Sequence, residues 1–254
     1  MKNSSLPIAA CRLLGGLLLA GAAHAQAPAG AGPGSGAGAD EAPGMQLATR
    51  GGPGGTAACA SCHGAQGEGN AAANFPRIAG QPTGYLVRQL ASYAEGSRNN
   101  AVMGPIAKAL TPQQREQVSA YYATLSAPAT KPAQAQGKAE AERGKQLATV
   151  GDERASVQSC ANCHGPGGVG QAPNYPYLAG QHASYLVAAM RDWKSGVRNT
   201  DPSGQMPLIA KRLSDADAAA VAGWFAAQPL PGPASAPVVQ RSMMPGQSMP
   251  AAPR

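Results

Sequence analysis

Aromatic residues are scarce in this 254-residue chain, 4% of the total with two Phe and two Trp, and charged residues make up only 13%. The first shortage leaves a unit of ordinary domain size with little apolar bulk to bury, so side chains alone give a marginal core. The second removes the concentrated basic face that phosphate binding needs, which excludes nucleic acid as a partner. The formal net charge of +7 does not restore such a face. Lys2 and Arg12 fall in an N-terminal leader and Lys131, Arg241 and Arg254 in linker or tail, so the parts expected to fold are close to neutral. Long apolar runs are missing as well. The longest, Leu13 to Ala23, is about eleven residues where a membrane span needs about 20. No β-branched segment with period-two alternation stands out, which excludes a strand-built redox fold around a dithiol.

Cysteine is also rare, and that is where the chemistry sits. Of five cysteines, Cys11 lies in the leader, and the other four form Cys59-Ala60-Ser61-Cys62-His63 and Cys160-Ala161-Asn162-Cys163-His164, 101 positions apart. In a C-x-x-C-H pentapeptide two thiols can each add to one vinyl group of the same porphyrin, and the adjacent histidine then serves as proximal iron ligand. A zinc site would gather four ligands into one tetrahedron, but here each cysteine pair has its own histidine in its own half of the chain. Two covalently bound haem c groups are therefore expected. Cys59, Cys62, Cys160 and Cys163 are the attachment residues, and His63 and His164 the proximal iron ligands.

The N-terminus points to export. Lys2 and Arg12, the apolar run and Ala23-His24-Ala25 make a secretory signal peptide over residues 1–25, cleaved after Ala25. Export places the mature chain in the periplasm, an oxidising compartment. Residues 26–43 form an Ala/Gly/Pro-rich linker, 44–127 a first haem domain, 128–138 a second linker, 139–228 a second haem domain, and 229–254 a Pro/Met-rich tail.

An internal repeat supplies the second iron ligands. Asn74-Phe75-Pro76 and Ile78-Ala79-Gly80-Gln81 return as Asn174-Tyr175-Pro176 and Leu178-Ala179-Gly180-Gln181. Tyr85-Leu86-Val87 returns as Tyr185-Leu186-Val187, and Gly96, Arg98 and Asn99 return as Gly196, Arg198 and Asn199. Met103 and Met206 then match, each seven residues before a leucine, Leu110 and Leu213, in a Gly/Pro-containing loop. A thioether at that point is the expected distal iron ligand. Most methionines only fill core gaps, as Met190, aligned with Leu90, is expected to do; Met45 aligns with Lys145 and has no counterpart. His182 aligns with Pro82 and reads as a surface histidine.

Periodicity is helical throughout. Leu86, Leu90 and Tyr93, and Leu186, Met190 and Trp193, each mark one amphipathic helix. Thr111 before Pro112, and Ser214, read as N-caps of C-terminal helices with inward faces of Val118, Tyr121, Tyr122 and Leu125, and of Val221, Trp224 and Phe225. Gly44 with Leu47 and Gly144 with Leu147 predict first helices crossing these last ones at close range. The fold class is all-α, two tandem domains each wrapped around one haem.

With these motifs the chain resembles the dihaem cytochrome c4 family, two class I cytochrome c domains in tandem, over roughly residues 44 to 228. The resemblance implies His/Met ligation, His63 with Met103 and His164 with Met206. It implies that Pro76 and Pro176 offer carbonyls to the proximal histidines, and that the two domains dock with their haem edges close. The implied function is one-electron transfer between respiratory partners, from a quinol-oxidising complex or a dehydrogenase toward a terminal oxidase, compatible with peripheral membrane association. Two further readings are an electron-accepting subunit of a periplasmic dehydrogenase and an enzyme, either a dihaem peroxidase, disfavoured because both halves offer a methionine, or a sulfur-compound oxidoreductase, disfavoured because no cysteine remains unassigned after Gln26. Copper handling by Met243, Met244 and Met249 is a third reading, set against that of a solvated tail.

Overall fold

In the computed structural model the described residues are 42–126, 128 and 136–232, all within one compact unit that begins at Asp40. The expected signal peptide, residues 26–41 of the first linker, most of the second linker and the tail beyond residue 232 lie outside the described residues. None of the described helices is long and apolar enough to cross a membrane.

Two similar helical domains follow one another. The first contains α1 (Pro43–Arg50), α2 (Ala60–His63), α3 (Thr83–Glu95), α4 (Met103–Ala109) and α5 (Pro112–Thr124). The second contains α6 (Lys138–Thr149), a two-residue antiparallel hairpin of β1 (Gly151–Asp152) and β2 (Val157–Gln158), then α7 (Ala161–His164), α8 (Ala183–Ser195), α9 (Gln205–Arg212) and α10 (Asp215–Ala226). The hairpin has no strand signal in the sequence, being too short to show alternation, and α6 begins inside the segment read as linker.

The glycine-mediated crossings are present. A Cβ on Gly44 would lie 2.9 Å from Cβ of Tyr121 and against the Gln117 carbonyl, and one on Gly144 would lie 2.8 Å from Cβ of Trp224 and against the Ala220 carbonyl. Only a residue without a side chain lets α1 meet α5, and α6 meet α10, at this distance. Thr111 accepts from the Gln114 amide at 3.2 Å while the Gln114 side chain accepts from the Thr111 amide at 2.9 Å, a complete capping box. Ser214 Oγ accepts from the Asp217 amide at 3.0 Å. The protein core is modest: Leu47, Ala48, Leu110, Val118 and Tyr122 in the first domain, and Leu147, Val157, Leu186, Leu213, Val221 and Phe225 with small residues in the second. Leu86, Leu90 and Tyr93 are only half-buried against protein because their stripe faces a cavity.

The domains meet through equivalent surfaces. The Asn99 amide donates to the Val197 carbonyl at 3.2 Å and the Asn199 amide to the Ser97 carbonyl at 2.9 Å, making Arg98 and Arg198 an antiparallel pair. Tyr177 Oη donates to the Ala79 carbonyl at 2.6 Å, and Arg88 reaches the carbonyl of Asn174 at 2.8 Å. His182 is not a surface residue. It is buried at the head of α8, with Nε2 3.0 Å from the Glu68 carbonyl across the interface. A carbonyl only accepts, so this nitrogen carries the proton.

Candidate haem site

One cavity of about 760 Å³ runs through both domains. It brings together Cys59, His63 and Met103 from the first domain with Cys160, Cys163, His164 and Met206 from the second. Cys62 does not line it but occupies the same turn of α2 as His63. In each domain the short helix that carries the histidine ends at a glycine with positive φ, Gly64 at 81° and Gly165 at 75°, where any other residue would be strained.

His63 and His164 make the carbonyl bonds expected of them. His63 Nδ1 lies 2.9 Å from the Pro76 carbonyl and His164 Nδ1 2.8 Å from that of Pro176. Each Nδ1 therefore carries the proton, which leaves the Nε2 lone pair for iron. Burial lowers the pKa of both imidazoles below the usual histidine value, more than the carbonyl bonds raise it, so both rings are neutral. Burial likewise raises the thiol of Cys59 and pushes that of Cys160 up to about 11. Both thiols point at the first helix of their domain, Cys160 Sγ lying 3.5 Å from the Leu147 carbonyl.

The methionines do not sit in loops. Met103 is the first residue of α4 and Met206 the second of α9. Both amides are capped, but by different groups. Asn100 Oδ1 accepts from Met103 at 2.8 Å, whereas the Asp201 carboxylate accepts from Met206 at 2.8 Å and from Ser203 Oγ at 2.6 Å. Burial alone would raise the Asp201 pKa, yet these donors outweigh it and the net shift is downward, so a full negative charge adjoins the second methionine.

At the domain boundary two guanidinium groups face the cavity. Arg98 and Arg198 are each 5% exposed and both donate to Gln89 Oε1 at 2.8 Å; Arg98 also donates to Tyr185 Oη at 3.0 Å and Arg198 to Tyr85 Oη at 3.3 Å. Arg98 stacks on Tyr93 and Arg198 on Trp193. Among the described residues neither has a carboxylate partner, and buried guanidinium without an anion is costly. Among the described residues, the buried side-chain polar atoms that lack a protein partner are Ser119 Oγ, Tyr122 Oη, Arg198 Nε and Thr200 Oγ1. All four residues line this cavity. An apolar macrocycle carrying two carboxylates fits such a lining: hydrophobic walls, a thiol pair and histidine at one end of each domain, and cations where they meet. Arg98 and Arg198 are visible in the sequence only as repeated residues, since the cluster exists only once the domains are docked.

Residues 42–126 match the cytochrome c family and residues 148–225 the family described as cytochrome c oxidase, cbb3-type, subunit III. The thiosulfate dehydrogenase electron acceptor of Thiomonas intermedia is 48% identical over 174 residues, 68% of this chain and 80% of that protein. Cytochrome c4 of Thiocapsa roseopersicina is 37% identical over 66% of this chain and 85% of its own length. The chain belongs to the dihaem cytochrome c4 family. As a member of that family it carries two covalently bound haem c groups in two cytochrome c domains and is an electron carrier, not an enzyme. Among solved structures, that of thiosulfate dehydrogenase (TsdBA) from Marichromatium purpuratum superposes with a TM-score of 0.68 at 41% identity, covering 74% of this chain. This cytochrome spans 40% of that longer chain.

Proposed function

We propose that this cytochrome is the periplasmic electron acceptor of a thiosulfate dehydrogenase, taking single electrons onto two His/Met-ligated haems. The observation that carries the reading is the likeness to the Thiomonas acceptor, which extends through both domains and is matched in fold by part of a thiosulfate dehydrogenase chain. It supports a dehydrogenase, rather than a terminal oxidase, as the defining partner. Cys59 and Cys62, and Cys160 and Cys163, would hold the porphyrins; His63 with Met103, and His164 with Met206, would hold the irons. Bound haem supplies the one-electron ferrous/ferric cycle, with thioether ligation raising its potential. The chain keeps both histidines neutral, orients them on Pro76 and Pro176, and buries Arg98 and Arg198, which could meet the carboxylates of a bound porphyrin.

Oxidised holoprotein mixed with thiosulfate and a thiosulfate dehydrogenase should be reduced at both haems, followed by the visible α-band. Reduction no faster than that of an unrelated monohaem cytochrome c would refute the pairing. Reduction by thiosulfate with no dehydrogenase present would make the chain itself an enzyme.

A further inference from the structure

The two proximal-histidine loops are tied to each other by a reciprocal pair of glutamines. Gln181 donates from Nε2 to the Arg77 carbonyl at 2.8 Å and accepts at Oε1 from the Arg77 amide at 2.9 Å. Gln81 does the same to Tyr177, donating to its carbonyl at 3.0 Å and accepting from its amide at 3.1 Å. Both glutamines are 3% exposed. Arg77 and Tyr177 are the residues directly after Pro76 and Pro176. One peptide group, Pro76–Arg77, therefore accepts from His63 on its oxygen and donates to Gln181 on its nitrogen; Pro176–Tyr177 stands in the same relation to His164 and Gln81.

We propose that Gln81 and Gln181 are cross-domain positioning residues, each setting the proximal-histidine hydrogen bond, and with it the reduction potential, of the haem in the opposite domain. Hydrogen bonds in series through a peptide polarise one another. An amide whose N–H is engaged by a buried acceptor offers a stronger carbonyl, which draws the Nδ1 proton and makes the imidazole a more basic iron ligand. A more basic ligand favours ferric iron. Gln181 therefore lowers the potential of the first haem and Gln81 that of the second. The grip also fixes the loop in place, since neither glutamine can release its partner without leaving buried polar groups unsatisfied. Domain docking and haem potential are coupled through these four bonds. The inference rests on His63 and His164 being the iron ligands.

The test uses holoprotein carrying Gln181→Met or Gln181→Glu, with the potential of each haem resolved through its own heme-methyl NMR resonances. Gln181→Met removes both bonds to Arg77 at similar volume, along with the bond that Gln181 Oε1 accepts from the His182 amide at 3.0 Å. It should raise the potential of the first haem relative to the second, shifting the electron distribution between them roughly threefold to tenfold, tenfold being 59 mV for one electron. The His63 Nδ1–H resonance should move with it. Gln181→Glu keeps an acceptor for the Arg77 amide and should leave the first haem at or below its wild-type potential. Gln81→Met should act in mirror image on the second haem. If Gln181→Met moves both haems alike, or neither, or leaves the His63 Nδ1–H resonance in place, the glutamines only hold the domains together and the proposal is overturned. A wild-type spectrum with no iron-bound His63 overturns the ligand assignment beneath it, and the proposal falls with it by a separate signature.

Discussion

Replacing Gly144 by alanine sets two well-defined effects against each other. In an exposed helix the change would stabilise, because glycine is about 1 kcal/mol worse than alanine in a helix interior. Here the new methyl would lie 2.8 Å from Trp224 Cβ and 2.9 Å from the Ala220 carbonyl carbon, with the Ala220 oxygen closer still. Carbon atoms pack at about 3.5–4.0 Å, so α6 and α10 must part by most of an ångström along their crossing. Overpacking of this kind costs roughly 1–3 kcal/mol, and a contact against backbone, which cannot rotate away, belongs at the upper end. Set against the propensity gain, the net destabilisation is about 2 kcal/mol. For a domain of this size that lowers Tm by roughly 8–16 °C. The displacement also reaches the haem attachment, because the Leu147 carbonyl on α6 accepts from the Cys160 amide at 3.4 Å. Calorimetry of the holoprotein should show the second-domain transition move down in Gly144→Ala and the first-domain transition move down in Gly44→Ala. A Tm that rises, or stays within a degree or two, in either variant would refute the close-crossing explanation.

Met103→Ala and Met206→Ala should each abolish the near-infrared thioether-to-iron band at one haem only; a high-spin or bis-histidine wild-type haem would contradict the ligand assignment. Asp201→Asn gives the second domain the neutral cap that Asn100 provides in the first, and should raise the second haem's potential by on the order of tens of millivolts with the first little changed. An unchanged second haem in potentiometry would show the charge to be screened. Arg143 bridges Asp152 and Asp217 at 2.6 Å each, and its hydrogen bonds hold both carboxyls below their ordinary values. Depressed carboxyl pKa values contribute stability that is complete above about pH 4 and is lost as pH falls through the folded values. The second domain should therefore melt progressively lower from about pH 4 downward, with Arg143→Gln flattening that dependence in acid titrations followed by circular dichroism.

The residues most legible in the sequence are those whose chemistry fixes their spacing. Covalent attachment to one porphyrin demands C-x-x-C-H, and a repeat that shifts its offset from 100 to 103 yet keeps Met103 and Met206 seven residues before a leucine marks the thioethers. Helix crossings were legible at Gly44 and Gly144 because close approach demands glycine there. His182 was misread because its partner, the Glu68 carbonyl, is 114 positions away, and a side chain aligned with a proline carries no sign of an interface. Placement of the methionines in loops failed for a local reason: Asn100 and Asp201 cap their amides and start helices where glycine and proline suggested none. Gln81 and Gln181, Tyr85 and Tyr185, and Arg98 and Arg198 were visible as repeated pairs. Their use was not, since each acts on the other domain, and a repeat does not say which copy a residue serves.

Docking in this protein is polar at its centre. The contacts that join the domains are glutamine–backbone pairs, Tyr177 on the Ala79 carbonyl, His182 on the Glu68 carbonyl, and two guanidinium groups sharing Gln89 Oε1. Neutral hydrogen bonds of this kind each add only about 1 kcal/mol net, and the paired guanidinium groups repel one another where water is scarce. The balance turns on the anions that meet those cations. Porphyrin carboxylates would suit Arg98 and Arg198 as such anions, and Arg198 Nε is among the buried donors that protein atoms leave unmatched. The interface, through the loops of Pro76 and Pro176, also holds the peptide groups on which His63 and His164 are oriented. In a carrier built this way the peptide that orients each of these histidines is gripped by a glutamine of the other domain.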